Sequence, residues 1–488
     1  MTSVIHSNLL SRPHMPFFST PLRSLTLPGT RTLLALLGFL IGSGMVTLTA
    51  QDARSLEFKD GDRISFLGNS ITHSGTYHSL LRRFYTTRYP DSTISLINCG
   101  ISGDVAERML HRAKKDVLSH NPEYTFLMVG MNDVGRELYF SGEAAADTIA
   151  LRQKALDHYR KKTDTLVRLL VGSGTVPILM TPSIYEQTAL LDSDNRYGVN
   201  DALARCAEHI RQLSRTYALP LIDLHAKMDS INSKRQQRDS TFTLVGEDRV
   251  HPGTPGHVVM AYEILKALGE PEYVSKVAIR TADKKVLTAI NASVENIATD
   301  PGQIRFDLRE GALPFVMDPE ERKALDLVPF MARFNRQQLF LTDVPSGSYQ
   351  LKIDGVPVGI YTHVALQKGI DLAQNTHTPQ YAQALKVAAI CDTYHEKESA
   401  LRTIPLIAYA HLSDYQGDGS LDSKEKHLAK KLEQFQGKPW YGYFEREFAT
   451  YIKIKPLENE LKRELETLQQ QLYDINTPKT HRYVFTRE

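Results

Sequence analysis

The sequence predicts an α/β protein: a parallel sheet covered by helices, followed by a small β-sandwich and a mostly helical C-terminal region. Three observations predict this fold class. Apolar runs of strand length alternate with helical segments from residue 63 to about 268, as in parallel sheets. From residue 276 the apolar runs are short and separated by turn residues, and from residue 364 helical periodicity prevails.

The composition is that of a globular protein of more than one domain. The 488 residues exceed one ordinary domain, and 42% hydrophobic with 23% charged residues is near the globular average. The formal net charge is only +2, so no charge excess suits the chain to nucleic acid or to an anionic membrane surface. At most one disulfide can form among Cys99, Cys206 and Cys391, and each is expected to be a small buried side chain.

Residues 1–50 are expected to be a signal peptide. Arg31 precedes residues 32–51, which carry no formal charge, are rich in Leu, Gly and Ala, and reach small residues near Ala50. Cleavage near Ala50 would place the mature protein outside the cytoplasm, periplasmic or secreted. The alternative is an uncleaved anchor that holds the protein at a membrane, because about twenty apolar residues cross a bilayer. The segment before the apolar run is long, so Met15 is an alternative start.

The first domain is predicted to place polar residues at the carboxyl edge of its sheet. In such sheets ligands bind where strands end. The predicted strands are 64–67, 94–97, 124–129, 177–181 and 219–223, with helices at 77–89 and 151–170 among the segments between them. The first three strands lead into segments that contain Ser70, Gly103 and Asn132, and a fourth cluster from Asp248 to His251 opens the last helix of the domain.

These residue types suit acyl-transfer chemistry. A serine hydroxyl such as that of Ser70 needs a base within hydrogen-bond reach, which His251 can supply, and Asp248 can hold the imidazole tautomer. Each residue also has a purely structural interpretation. Ser70 and Asp248 could cap helices, Gly103 could be a turn glycine, and Asn132 could bond a loop. His73 either lines the pocket or is an ordinary histidine at the surface or at a helix start.

Taken together, the four blocks resemble the SGNH (GDSL) hydrolase family over residues 62–265. The matching residues are Ser70, Gly103, Asn132, Asp248 and His251. The resemblance implies a flavodoxin-like three-layer sandwich and a triad of Ser70, His251 and Asp248. It also implies an oxyanion hole made of the backbone N–H groups of Ser70 and Gly103 and the Asn132 amide. Asn69 departs from the commoner aspartate of the family, at a position outside the catalytic set.

Beyond the hydrolase domain the chain is expected to form two further regions. The expected division is 1–50 signal peptide, 52–270 hydrolase, 276–362 β-sandwich and 363–488 helices. Leucines recur along one face of the helix predicted at 457–475, which is expected to pack on its own protein, with a partner-binding coiled coil as the alternative. Residues 414–425 imitate a calcium loop, but Gln416 departs from the pattern, so a solvated acidic turn is favoured over calcium.

The resulting prediction is an exported serine esterase that removes O-acetyl groups from a polysaccharide or oligosaccharide. One alternative is a lysophospholipase or a general aryl or alkyl esterase of the same fold. Another is a non-catalytic binding or scaffold protein with a vestigial site. No cofactor, metal or nucleic-acid partner is expected, and the expected partner is an acylated carbohydrate or other ester.

Overall fold

A computed structural model describes residues 56–140 and 144–488. The predicted signal peptide, residues 1–50, lies outside the described residues. Within the described ranges, no helix has both the length and the apolar character needed to cross a membrane. All three cysteines are buried and unpaired.

A five-stranded, fully parallel sheet forms the centre of the first domain. Its strands are β1 (Arg63–Gly68), β2 (Ser95–Gly100), β3 (Tyr124–Met128), β4 (Val176–Met180) and β5 (Leu221–Ile222). They lie in the order β2-β1-β3-β4-β5, which is the flavodoxin-like order. In β1 every residue after Arg63 is buried, as expected for a strand covered on both faces.

Helices cover both faces of this sheet. They are α1 (Ser70–His73), α2 (Thr76–Arg88), α3 (Ala106–Asp116), α4 (Ala146–Gly172), α5 (Val199–Tyr217), α6 (Leu224–Gln236) and α7 (Thr254–Ala267). The apolar faces of α2, α6 and α7 share one core with β1, in which Phe66 is fully buried. Helices α3, α4 and α5 form the core on the opposite face around Leu67, which completes the three layers.

The second half of the chain contains two further sheets. Their strands are β6 (Tyr273–Arg280), β7 (Lys285–Ile290), β8 (Ala292–Asp300), β9 (Gln303–Glu310), β10 (Arg336–Thr342), β11 (Ser348–Ile353), β12 (Val356–Thr362), β13 (Ile370–Asp371) and β14 (Thr480–Arg487). One sheet has the order β13-β10-β6-β7 and the other β12-β11-β14-β9-β8. Apolar residues of both sheets share one core, so the predicted β-sandwich is present.

The structure corrects the boundaries of this sandwich. Strand β14, from the very end of the chain, lies between β9 and β11 and is antiparallel to both, so the region after residue 363 completes the sandwich. Its inward residues alternate along the strand, as His481, Tyr483 and Phe485 are buried. The expected division at residue 363 is therefore wrong for β14.

A second correction concerns the segment between β9 and β10. Two short helices occur here, α8 (Pro319–Arg322) and α9 (Phe330–Phe334). Phe315, Phe330 and Phe334 belong to the core under α2 and α7, where Phe315 and Phe334 lie against the ring of Phe84. Part of the segment assigned to the sandwich is therefore packed into the hydrolase domain.

Five helices make up the C-terminal region. They are α10 (His363–Lys368), α11 (Pro379–Ala410), α12 (Leu421–Glu433), α13 (Tyr441–Ile454) and α14 (Glu458–Ile475). Helix α11 packs against α2, β2 and α14, so it reaches the carboxyl edge of the parallel sheet. It continues through Pro405 without a break. Helix α14 packs against α11 of the same protein as predicted, with Leu472 fully buried, whereas Leu457, the first leucine of the predicted face, is exposed.

Candidate active site

Ser70 lies at the first position of α1, directly after β1. The helix is capped by Asn69, whose side-chain oxygen accepts a hydrogen bond from the N–H of Ile71 at 3.2 Å. An asparagine oxygen supplies the acceptor that such a cap needs, which accounts for Asn69 in place of aspartate. Ser70 is therefore not the capping residue, and its hydroxyl is free for another partner.

That partner is His251. The Nε2 atom of His251 lies 2.7 Å from the Ser70 hydroxyl, and Nδ1 lies 2.5 Å from Oδ2 of Asp248. Because the carboxylate accepts the proton on Nδ1, Nε2 presents its lone pair to the serine hydroxyl. Burial would raise the pKa of Asp248, but hydrogen bonds from the His251 ring and from the Val250 and His251 backbone lower it to about 2.

The loop from Asp248 to His251 is held by Arg249, which the sequence analysis did not single out. Oδ1 of Asp248 accepts the backbone N–H groups of Val250 and His251, both at 3.0 Å. Arg249 has a left-handed backbone (φ 65°), and its buried guanidinium donates to four carbonyl groups of the loop after β4. The residue at the start of α7 is Gly253, so Asp248 does not cap that helix.

Gly103 and Asn132 lie on the loops after β2 and β3. Gly103 is exposed and has a left-handed backbone (φ 77°), a conformation that favours glycine. Nδ2 of Asn132 donates to the carbonyl of Asp104 at 2.9 Å, which ties the two loops together. Within the described residues neither Gly103 nor Asn132 forms a hydrogen bond with Ser70. The second N–H of the Asn132 amide has no acceptor there either.

A pocket of about 420 Å³ opens at Ser70 and His251. His73, Ser74 and Ser102 line it from the hydrolase domain. The other wall comes from the C-terminal helices: Ser399, Ala400 and Thr403 from α11, and Tyr443, Glu447 and Thr450 from α13. This wall was not predictable from the sequence, because the pattern of an amphipathic helix does not reveal which distant site the helix covers.

His73 is buried in the pocket wall, which settles the choice between a pocket and a surface position. Its Nδ1 accepts the backbone N–H of Ser102 at 3.1 Å. Burial, together with the charges of Arg402 and Arg112, lowers the pKa of His73 to about 3. The ring is therefore neutral at physiological pH and holds the loop after β2 in place.

The acidic loop at 414–425 has structural partners. Asp414 forms an ion pair with Lys431, Asp422 pairs with Lys426, and Asp418 accepts the backbone N–H of Ser420, the cap of α12. Across residues 56–140 and 144–488 there is no cluster of three or more His, Cys, Asp or Glu side chains suited to a metal ion.

The fold and the Ser-His-Asp hydrogen-bond chain define a hydrolytic enzyme of the three-layer α/β class. Residues 66–259 match the GDSL-like lipase/acylhydrolase family model. A solved gut microbial diltiazem-metabolizing enzyme is 30% identical and has a TM-score of 0.79, and the match covers 88% of this chain and 99% of that one. The acetylxylan esterase of Geobacillus stearothermophilus is 24% identical over 44% of this chain and 97% of its own.

The chain therefore belongs to the GDSL-like lipase/acylhydrolase family, that is, the SGNH hydrolases, and is an ester-hydrolysing enzyme. The predicted family, α/β fold and enzyme class are confirmed. The match to the diltiazem-metabolizing enzyme extends over nearly the whole chain, so it includes most of the sandwich and the C-terminal helices.

Proposed function

We propose that this protein is an exported serine esterase that removes O-acetyl groups from a polysaccharide or oligosaccharide. The observation that carries the proposal is the hydrogen-bond chain from Asp248 through His251 to Ser70, with distances of 2.5 and 2.7 Å. In this proposal Ser70 is the nucleophile, His251 the general base, and Asp248 the group that orients the imidazole and stabilises its charged form.

The reaction follows from this geometry in two steps. The Ser70 oxygen attacks the ester carbonyl while its proton passes to Nε2 of His251. The tetrahedral intermediate then expels the alcohol, which takes that proton, and leaves acetyl-Ser70. In the second step His251 removes a proton from water, the resulting hydroxide attacks the acetyl group, and acetate leaves as the proton returns to the Ser70 oxygen.

The charge that develops on the carbonyl oxygen needs preorganised donors. The proposed donors are the backbone N–H groups of Ser70 and Gly103 and the side-chain amide of Asn132. The fixed Asn132 orientation supports this role, because one N–H is bound to the Asp104 carbonyl and the other remains available. Removing one such donor typically slows turnover about 10²–10³-fold.

The acetylated carbohydrate is favoured by the chemistry of the pocket. Hydroxyl groups of Ser74, Ser102, Ser399, Thr403, Tyr443 and Thr450 occur among its lining side chains. Such a surface suits a polar leaving group better than the acyl chain of a lysolipid. The acetylxylan esterase of G. stearothermophilus acts on a substrate of this class. Export is proposed because residues 1–50 have the pattern of a signal peptide and because a polymeric substrate is expected outside the cytoplasm.

A small aryl or alkyl ester is the second candidate substrate. The observation that favours it is the 30% identical relative, which metabolises the drug diltiazem. The two candidates share the site and the mechanism, and differ only in the leaving group that the pocket accepts.

Labelling and product release test the proposal. We expect a serine-directed organophosphonate to modify Ser70 in the purified protein and Ser70→Ala to abolish both labelling and hydrolysis of p-nitrophenyl acetate. Acetate release from acetylated xylan should exceed fatty-acid release from lysolipids, and diltiazem turnover would favour the second candidate. Full activity of Ser70→Ala would refute the assigned nucleophile. Lack of labelling together with lack of hydrolysis would indicate a vestigial site.

A further inference from the structure

The C-terminal helices place a carboxylate in the pocket at Ser70. Glu447 on α13 is the one acidic side chain among the described residues that line this pocket. Its Oε2 accepts a hydrogen bond from the hydroxyl of Thr403 on α11 at 2.9 Å. In the described part of the chain Glu447 has no salt bridge, and its second oxygen accepts no hydrogen bond.

Glu447 is half-buried, and burial raises its pKa, although the Thr403 hydrogen bond and the charge of Arg446 partly offset this. Its second oxygen is accessible to solvent in the pocket, where a ligand donor can reach it. The free acceptor therefore points to a ligand that donates a hydrogen bond.

The neighbours of Glu447 indicate what kind of ligand this is. Tyr443 lies one helical turn earlier on α13, and burial raises the pKa of its phenol to about 12, so its hydroxyl stays protonated. Thr450 lies three residues later and adds another hydroxyl. Neutral hydroxyls that both donate and accept, placed around one carboxylate, match the alternating donors and acceptors of a polyhydroxylated molecule.

This wall has a fixed position relative to the reacting serine. Arg402, adjacent to Thr403, donates to the carbonyl of Gly100 at 2.7 Å and to Oδ1 of Asp116 at 2.8 Å. Gly100 ends β2, from which the loop to Gly103 starts. Helix α11, whose Thr403 binds Glu447, is therefore attached directly to the strand end from which that loop starts.

We propose that Glu447, with Thr403, Tyr443 and Thr450, forms a subsite that binds hydroxyl groups of a carbohydrate leaving group next to the ester attacked by Ser70. This inference rests on the proposed esterase function and specifies its substrate.

Two esters with similar rings test the subsite. One is a mono-O-acetylated methyl xyloside, whose leaving group carries free hydroxyls, and the other is cyclohexyl acetate, whose leaving group has none. The measured quantity is the ratio of their kcat/KM values. We expect Glu447→Ala to lower this ratio about tenfold or more, as for a lost hydrogen bond to a charged group. Glu447→Gln, which keeps an acceptor oxygen, should lower the ratio less.

The matched control is Glu445→Ala, which removes an exposed carboxylate from the same helix and should leave the ratio and both rates unchanged. Thr450→Val, nearly isosteric, should lower the ratio without a loss in melting temperature. An unchanged ratio in Glu447→Ala and Thr450→Val would overturn the subsite. The subsite would also be overturned if the wild-type protein preferred acetylcholine to the acetylated xyloside and if Glu447→Gln reduced that activity as much as Glu447→Ala. Those results would mean that Glu447 recognises a cation.

Failure of the subsite and failure of the proposed function give different results. If the wild-type protein does not hydrolyse p-nitrophenyl acetate, the esterase proposal fails. If it hydrolyses p-nitrophenyl acetate and cyclohexyl acetate but the ratio is insensitive to Glu447, only the subsite fails.

Discussion

At the scale of single residues, the two oxygens of Asp248 have different partners. Oδ1 accepts two backbone N–H groups of its own loop, and Oδ2 accepts the Nδ1 proton of His251. One oxygen therefore shapes the loop while the other orients the base. Because the pKa of Asp248 is about 2, the carboxylate is ionised at any pH at which the folded protein would be assayed.

This division of roles predicts the effect of Asp248→Asn. The amide oxygen can replace Oδ1 in the loop, but the NH₂ group cannot accept the Nδ1 proton and favours the wrong imidazole tautomer. We expect kcat for p-nitrophenyl acetate to fall about 10³–10⁴-fold, with little change in melting temperature. Glu247→Gln, which alters the exposed neighbouring carboxylate, is the control. A loss below tenfold in Asp248→Asn would contradict the orienting role.

At the scale of secondary-structure elements, α11 is joined to the hydrolase domain by a buried charge network. Asp104 binds Arg112, Arg112 binds Asp116, and Asp116 binds Arg402 of α11. The four charges are buried and balance in number. Burial alone would raise the pKa of Asp116, but the charges of Arg402 and Arg112 lower it below its usual range.

Removing Arg402 should therefore destabilise the protein strongly. Arg402→Met leaves one negative charge buried without its partner, and we expect urea unfolding to show a loss of about 3–5 kcal/mol. The comparison is the half-exposed ion pair between Lys397, also on α11, and Glu464 of α14, and Lys397→Met should cost about 0–1 kcal/mol. Adding Asp116→Asn to Arg402→Met should recover part of the loss. If the losses in free energy of unfolding of the two single variants simply add up in the double variant, the charges are not coupled, which would contradict the network.

The elements also show what the sequence could and could not reveal. The five parallel strands were predictable because continuous apolar runs signal buried strands, and the site residues follow three of them. Strand β14 has clear alternation, but its partners β9 and β11 lie more than a hundred residues earlier, a pairing that no local pattern specifies. Helix α11 passes Pro405 because Ile404, Leu406 and Ile407 are buried there, so packing overrides local preference.

At the scale of the whole molecule, β14 ties the end of the chain to the middle of the sandwich. Tyr483 and Phe485 are fully buried, and the Tyr483 hydroxyl donates to the buried Glu310 carboxylate at 2.8 Å. Loss of this strand removes both rings from the core. Replacing one large buried aromatic side chain by a small one typically costs about 3–5 kcal/mol. The sum is comparable to the total stability of an ordinary domain.

We therefore expect deletion of residues 477–488 to abolish cooperative unfolding of the sandwich or to yield insoluble protein. Deletion of the exposed Glu488 alone is the control and should leave the melting transition in place. A truncated chain that melts like the full-length protein would show that the sandwich does not depend on its last strand. That result would restore the division at residue 363 expected from the sequence.

Buried histidines give the whole molecule a sensitivity to acid. Burial lowers the pKa of His73 and His257 to about 3 and of His411 to about 4, and it lowers the pKa of His78 and His395 as well. These rings are neutral in the folded state and take up protons on unfolding below about pH 6.5. Each then lowers the free energy of unfolding by up to about 1.4 kcal/mol per pH unit as the pH falls.

The histidines outnumber the main opposing group in this window. Burial raises the pKa of Asp133 to about 7, so the folded state holds a proton there that the unfolded state releases, and stability rises as the pH falls. Burial also raises the pKa of Glu270, Glu310, Glu321 and Glu447, which act in the same direction. In the described part of the chain eight histidines have a lowered pKa and five carboxyl groups, Asp133 included, have a raised one, so unfolding takes up protons on balance as the pH falls below about 6.5. The free energy of unfolding should therefore fall through this range.

His411→Phe isolates one of these contributions. The His411 ring lies against Phe435, Phe444 and Phe448, with ring centroids 6.1, 4.7 and 5.0 Å away, so a phenyl ring suits the site. Lys431 and Arg108 add to the lowering of its pKa by burial, and Asp414 opposes it. Urea unfolding of both proteins at pH 7.5 and pH 5 separates packing from titration, because packing changes both values equally. We expect the free energy of unfolding to fall less in the variant between the two pH values. The slope below about pH 6.5 should be smaller by up to about 1.4 kcal/mol per pH unit, the contribution of one proton. Equal losses in the two proteins would show that His411 is not held neutral by the fold.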